Sequence, residues 1–435
     1  MSTQSQLLVR VLADLGANGI CVLNGYEGYP EVIPSDVDIA ATSAAHIKLK
    51  ALIENGVYDV VQALQYEHNS TRYEFIAYDN PPVFLGIDVS TDIRSNGRVF
   101  FRCDEFVKSA HQFKRLIPVP RADLEFAAYF LKKILKKELT AEHGLRLSRL
   151  WSQAPDRSYQ QVLNLLPEPR ATIVAKAATS GDWIPVQKEL SELRKTVLRV
   201  VGLKDPFSII RYWHGEVRRW VNRILHPTGL MIVFLGPDGV GKSTVIDRVR
   251  TELAPAFKGR TKAYHLRPAW VGRKASSTST TSPHAQVARS VGMSLLKLGF
   301  WWLDYTLGYW LDVFPRMIRA TLITFDRYYD DLLVDPKRYR FTGPKWLVRL
   351  VGRLIPHPDL VVLLDAPPEV ISSRKQELSG DEVFRLREEY RAVVGSMPNG
   401  HIVDAAGSIE QVVSAIEHVV LHHMKQRTVQ RMRDR

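Results

Sequence analysis

A chain of 435 residues exceeds what one ordinary hydrophobic core can serve, so two or three domains are expected. Hydrophobic residues at 45% and charged residues at 24% are those of a soluble globular protein, and two cysteines, Cys21 and Cys103, exclude a disulfide framework and a cysteine-based zinc site. The formal net charge of +13 points to anionic partners: nucleotides, nucleic acid or a membrane surface.

Leu7, Leu8, Val11, Leu12 and Leu15 recur at helical spacing, so the amino terminus reads as an amphipathic helix and not as a signal peptide. Residues 19–23 follow as a strand, then a Gly25-Tyr26 turn, a loop with Pro30 and Pro34, and Ser35-Asp-Val-Asp-Ile-Ala40. On a strand, that alternation puts Asp36 and Asp38 on one face and Val37 and Ile39 on the other. A second apolar strand, residues 83–87, ends at Asp88. Three carboxylates on two neighbouring strands predict a site for one or two Mg²⁺ ions and a triphosphate, with an ordinary exposed acidic strand as the alternative.

From Asp123 to about residue 225 the pattern is helical. Leu124, Ala127, Ala128, Leu131 and Leu135 form an inward stripe, with Lys132, Lys133, Lys136 and Lys137 on the remaining surface. Further helices are predicted at 158–166, 170–180 and 186–201. A last stripe, Ile209, Ile210, Trp213, Val217, Trp220, Val221 and Ile224, reads as a helix whose rings Tyr212, Trp213 and Trp220 serve the core or the packing of domains. His226-Pro-Thr-Gly229 then breaks the helix.

Five apolar residues, 231–235, lead into Gly236-Pro-Asp-Gly-Val-Gly-Lys-Ser243 and Thr244, and Val245, Ile246 and Val249 continue at helical spacing. Strand, glycine-rich turn and helix is the context in which G-x-x-x-x-G-K-[ST] binds nucleotide phosphate. Gly236, Gly239 and Gly241 let backbone N–H groups face phosphate oxygens, Lys242 supplies a mobile charge, and Ser243 offers a hydroxyl to Mg²⁺. Four more apolar runs, at 262–266, 321–325, 360–364 and 401–403, alternate with helical segments, which predicts a doubly wound parallel sheet. Its strand ends carry Asp326-Arg327 and Asp365. Between them lie a Ser/Thr-rich stretch at 274–282, expected to be mobile, and an aromatic run at 291–313. That run reads as a buried helix, an aromatic acceptor pocket, or a helix on a membrane surface with Lys297, Arg316 and Arg319 near headgroups. The last residues, with Lys425, Arg427, Arg431, Arg433 and Arg435, read as a frayed, solvated end.

Two resemblances add to this reading. Residues 19–90 resemble the small nucleotidyltransferases of the polymerase-β superfamily: a strand, a glycine turn, an Asp-x-Asp pair and a third Asp on a later strand. That implies metal ligation by Asp36 and Asp38, with Asp88 as third ligand or base. The family's turn has Gly-Ser or Gly-Gly, whereas here Tyr26 follows Gly25 and would crowd the phosphate donors. An active and a degenerate domain both stay open. Residues 230–423 resemble thymidylate kinase, through 236–244, Asp326-Arg-Tyr328, Leu364-Asp-Ala-Pro-Pro-Glu369 and Arg374 with Arg387-Glu-Glu-Tyr390. By that resemblance the loop Gly236, Pro237, Asp238, Gly239, Val240, Gly241, Lys242, Ser243 and Thr244 holds ATP, with Asp238 helping to position the acceptor. Arg327 steadies the transferred phosphoryl group, and Arg374, Lys375 and Arg385 form a closing lid. Asp326 orients an acceptor hydroxyl or magnesium waters, and Asp365 is a second candidate for the Mg²⁺ shell. The family's Arg-Glu-Pro-Gly-Gly acceptor grip is replaced here by His265-Leu-Arg-Pro-Ala-Trp270, so dTMP is not the expected acceptor.

The expected architecture is therefore α/β: a nucleotidyltransferase-like α+β domain at 1–120, a helical region at 121–225, a thymidylate kinase-like P-loop domain at 226–424 and a basic tail at 425–435. The expected activity is ATP- and Mg²⁺-dependent phosphoryl transfer to an unidentified acceptor, such as a sugar or lipid-linked glycan, in a cytoplasmic protein. A membrane surface and a second copy in a homodimer are further expected partners. The alternatives are an ATP-gated regulatory protein without a productive acceptor site and a nucleic-acid end-processing enzyme.

Overall fold

The computed structural model describes residues 1–33, 36–67, 69–95, 97–114, 116–205, 207–269, 289–374 and 380–434. The Ser/Thr-rich stretch, Trp270 and Lys375 lie outside the described residues. The chain divides into two compact units, Met1–Asn222 with Lys425–Arg435, and Arg223–Met424.

In the first unit, five strands form one sheet: β1 (Ile20–Val22), β2 (Val37–Ala41), β3 (Val60–Glu67), β4 (Ser70–Ala77) and β5 (Val83–Ser90). Their order is β1-β2-β5-β4-β3; β2 and β5 run parallel and the other neighbours antiparallel. The helices Thr3–Leu15 and Ser43–Glu54 start at side-chain caps, Ser2 and Thr42, each accepting a backbone N–H. Leu8, Val11, Leu49 and Ile53 from these helices share a core with Ile39, Phe75 and Ile87 of the sheet. Two ribbons follow, β6 (Asp92–Ser95) with β7 (Arg98–Arg102) and β8 (His111–Phe113) with β9 (Ile117–Val119). The helix Ala122–Lys136 then packs Phe126, Phe130 and Leu131 with Leu147, Trp151, Val162, Val174 and Trp183 of the helices beyond it.

In this unit the core reading of one helix and the solvated reading of the chain's end do not hold. The helix Ser208–Leu225 forms, but its apolar stripe points outward: Ile210, Trp213, Val217, Trp220 and Val221 are exposed. Its polar side is the docked one. Tyr212 lies so close to the β6–β7 turn that a Cβ at Gly97 would come within 2.8 Å of its own Cβ. The buried Glu216 accepts Arg219 Nε at 2.9 Å, and Arg219 also donates to the Gln65 carbonyl at 3.4 Å. The carboxy-terminal residues are not a solvated end either. They continue the helix Ile409–Arg433, and Lys425 pairs with Asp59 while the Thr428 hydroxyl donates to the Val61 carbonyl at 2.9 Å. Val429 and Met432, on the same helical face, pack against the core.

The second unit is an α/β fold on a five-stranded parallel sheet: β10 (Leu230–Leu235), β11 (Thr261–His265), β12 (Leu322–Asp326), β13 (Leu360–Asp365) and β14 (Gly400–Asp404). The order is β11-β12-β10-β13-β14. β10 is central and buried along its whole length, as its unbroken apolar run requires of a strand covered on both faces. The chain leaves β10 for one side of the sheet and later returns to its other side. The crevice at the carboxyl ends of β10, β12 and β13 is the topological switch point, where such folds place ligands. No helix among the described residues is long and apolar enough to cross a membrane.

Candidate phosphate-binding site

β10 delivers the chain to Gly236, whose φ is +144° and where a Cβ would lie 2.7 Å from the Leu364 carbonyl oxygen of β13. Only glycine lets the loop turn this close to the neighbouring strand. Gly239 and Gly241 also have positive φ, and the helix Lys242–Leu253 begins at Gly241 without a side-chain cap. Its first-turn amides and the positive end of its dipole thus serve the loop. Lys242 is buried and folds back over the turn, donating to the carbonyls of Gly236 at 2.7 Å and Pro237 at 2.8 Å. Burial, with the Arg327 charge, lowers its pKa to about 7 against the pull of Asp238, Asp326 and Asp331. Ser243 and Thr244 stand exposed at the helix start.

The end of β12 faces this loop. Asp326 lies opposite Phe234 of β10, and the next residue, Arg327, donates its backbone N–H to the Phe234 carbonyl at 2.9 Å. Arg327 has a φ of +69°, rare for a residue with a side chain, and is only 3% exposed. Its guanidinium bonds Asp238 of the phosphate loop and sits 3.6 Å from Asp331, while its Nη1 is buried without a hydrogen-bond partner. Asp238 is also bonded by Arg338. Burial would raise the Asp238 pKa, but Arg327, Lys242 and Arg338 together hold it well below the usual carboxylate range. Asp326 is likewise lowered: burial opposes, and His265, Lys242 and Arg327 prevail. Its Oδ1 is buried and unpartnered. Asp331 is fully buried and accepts the hydroxyls of Tyr339 and Tyr390.

The sequence-predicted residues thus divide. Lys242, Asp238, Asp326 and Arg327 come together. Arg374 also reaches the loop, donating to the carbonyls of Val240 at 3.2 Å and Ala405 at 3.3 Å. Arg385 does not; it pairs with Glu389 on its own helix. Asp365, a candidate for the Mg²⁺ shell, is engaged elsewhere in this structure. Both its oxygens are taken by Arg387, at 2.6 and 2.9 Å, and one also by Arg391 at 2.7 Å, so it anchors the helix Gly380–Gly395. Arg338 was not foreseen, because the residues around it, Pro336 to Tyr339, carry no periodic pattern.

Beside this cluster, Arg267 is committed to the fully buried Asp304 at 2.7 Å and stacks near the Phe300 ring, and the buried Tyr305 hydroxyl donates to the Leu266 carbonyl. Asp304 and Tyr305 belong to the helix Val291–Gly308, which buries Leu298 and Trp301 on one edge and leaves Leu296, Trp302 and Leu303 exposed on the other. The aromatic run is therefore a half-buried helix of this unit.

The carboxylates of the first unit surround a cation of the chain's own. Asp38 lies directly opposite Asp88 across β2 and β5, as the alternation predicts. A cation is already built in: Arg72 of β4, opposite Asp88 and 4% exposed, bonds Asp36, approaches Asp88 at 3.7 Å and is held by Glu74 at 2.8 Å. Gly86 makes room for it, since a Cβ there would lie 2.1 Å from Arg72 Nη2. Asp38 instead accepts Asn24 at 2.9 Å and has Lys132 at 3.5 Å. Among the described residues no group of three or more His, Cys, Asp or Glu side chains is placed to hold a metal ion. Tyr26 is turned aside, its hydroxyl donating to Glu125 at 2.6 Å. Next to these residues lies a cavity of about 390 Å³, lined by Asp38, Asp88, Ser90, Tyr129, Leu131 and Lys132 among others.

No family model matches the chain. The thymidylate kinase of Bifidobacterium longum subsp. infantis is 28% identical over 207 residues, which is 44% of this chain and 85% of that protein. The thymidylate kinase of Xanthomonas euvesicatoria pv. vesicatoria is 24% identical over 210 residues, 45% of this chain and 85% of its own. The crystal structure of thymidylate kinase from Ehrlichia chaffeensis aligns with 44% of this chain and 99% of its own, at 16% identity and a TM-score of 0.32. Homology to thymidylate kinases thus covers about 44% of the chain, and the protein is a nucleoside monophosphate kinase-like enzyme.

Proposed function

We propose that residues 226–424 form an ATP- and Mg²⁺-dependent phosphotransferase whose acceptor is not dTMP. The observation that carries this is Arg327: a buried guanidinium, bonded to Asp238 and 3.6 Å from Asp331, with Nε and Nη1 both lacking a hydrogen-bond partner. A donor fixed in this way stabilises charge developing on a transferred phosphoryl group without reorganising. Bound Mg²⁺–ATP supplies the electrophilic terminal phosphoryl and neutralises part of its charge. The residues fit that group. Lys242 would exchange its loop carbonyls for phosphate oxygens, and the exposed Ser243 hydroxyl would be the ligand offered to the metal. Asp326, unpartnered at Oδ1, orients the acceptor hydroxyl. Arg374 braces the loop from behind through the Val240 carbonyl.

The acceptor reading rests on Arg267. In this chain it is spent on Asp304, and its neighbour Leu266 is pinned by Tyr305, so this segment holds a helix instead of a nucleotide phosphate. A sugar or lipid-linked glycan is the acceptor class we favour. Labelled ATP offered separately with dTMP, sugars and glycolipid extracts tests this. Phosphate should appear on a sugar-containing acceptor, and efficient dTDP formation sinks the reading.

For residues 1–120 we propose a nucleotidyltransferase-like fold that serves as a binding module, in which Arg72 occupies the place of a catalytic cation. The bonds of Arg72 to Asp36 and Glu74, and the space left by Gly86, support it.

A further inference from the structure

The helix Ser208–Leu225 is docked the wrong way round for a core helix. Its inward face carries Ser208, Tyr212, Glu216 and Arg219, and its outward face Ile210, Trp213, Val217, Trp220 and Val221. Trp213 is 61% exposed, Val217 59% and Trp220 51%, and Phe207 extends the strip. Contiguous apolar side chains of this size are not left to water on a stable monomer without a purpose. Reversing the helix is not open to the fold, because Tyr212 fits against Gly97 and the Glu216–Arg219 pair is tied to β3 through the Gln65 carbonyl.

The charges beside the strip choose among its occupants. Of the four arginines within residues 208–225, Arg219 is bonded inward to the buried Glu216, which is the one carboxylate on the helix. Arg218 is exposed, and Arg211 is exposed with Asp205 as its partner. A second copy laid on this helix would oppose arginines to arginines, with no exposed carboxylate on the helix to pair them. An anionic lipid surface meets both halves of the pattern: acyl chains take the apolar strip, indole rings rest at headgroup depth, and arginines pair with phosphates.

We infer that residues 208–221 are an interfacial membrane-docking helix that holds the protein on anionic bilayers. This does not depend on the phosphotransferase reading; a protein without kinase activity would bind lipid equally.

Cosedimentation of the full chain with vesicles tests it, using phosphatidylglycerol mixed into phosphatidylcholine against phosphatidylcholine alone. The wild type should partition onto the anionic vesicles and be released by raised salt. Trp213→Ser with Trp220→Ser should lower the partition coefficient by about tenfold or more. Arg218→Gln should lower it about fivefold, on the anionic vesicles only. Thermal unfolding of the Trp variant, without lipid, should match the wild type. Failure of the wild type to partition, or equal partition of both proteins, overturns the inference. So does a lowered melting point in the variant, which would show the strip packed inside the protein. A wild-type dimer that the variant converts to monomer, seen by light scattering, would assign the strip to a second copy instead.

Discussion

Asp238, inside the phosphate loop, is bonded by Arg327, which arrives from the end of the neighbouring strand β12. The loop and the strand end are thereby one electrostatic unit. The carboxylate keeps the guanidinium in place, and the guanidinium keeps the carboxylate ionised.

That unit should separate binding from turnover. Arg327→Ala is expected to lower kcat by about 10²–10³-fold, the usual loss for a preorganised charge donor, with a much smaller change in ATP affinity. Lys242→Ala should abolish turnover and weaken ATP binding as well. Steady-state kinetics with nucleotide titrations check both. Undiminished ATP consumption by Lys242→Ala would remove the loop from the reaction.

The lowered pKa of Lys242 carries a sign that can be measured. Its pKa falls from 10.5 to about 7 on folding, so between those values the unfolded chain holds a proton that the folded protein lacks. This group's contribution to stability should therefore rise with pH across that window, and Lys242→Met should flatten the rise. Phosphate oxygens favour the charged ammonium, so ATP binding near pH 7.5 should take up protons. Calorimetry in buffers of different ionisation enthalpy reads the uptake. Equal heats in every buffer, after allowing for the nucleotide's own titration, count against the assigned role.

The first unit should be indifferent to divalent ions. In the full chain, whatever rise in melting temperature Mg²⁺ or Mn²⁺ with a nucleoside triphosphate brings should be the same with and without Asp38→Asn. A metal-dependent rise that Asp38→Asn abolishes would show that Arg72 yields its place to a metal.

Gly86→Ala should cost about 1–3 kcal/mol, as overpacking does, because the new methyl group would meet the Arg72 guanidinium while Glu74 and Asp36 hold it. Chemical denaturation measures this. A neutral result would mean that the guanidinium can move aside.

The three inner strands of the second unit, β10, β12 and β13, could be read from the sequence because a parallel strand covered on both faces is a continuous apolar run, and these runs end at Gly236, Asp326 and Asp365. What could not be read depends on partners distant in the chain. Asp365 sits at a strand end as a metal ligand would, and only the fold shows Arg387 and Arg391 claiming it. β4 hides its role for a similar reason. Arg72 and Glu74 satisfy one another in its interior, so the strand lacks the alternation that marks β2. Helical periodicity identifies which residues of Ser208–Leu225 share a face. It carries no information about whether that face turns inward, and here the contact of Tyr212 with Gly97 decides.

Asp331 joins three parts of the second unit at a single carboxylate: Arg327 at the end of β12, Tyr339 in the following segment and Tyr390 on the helix Gly380–Gly395. It ties them together at one point. A single side chain thus separates that helix from the Arg327 guanidinium, and a substitution at Tyr390 should be felt at Arg327.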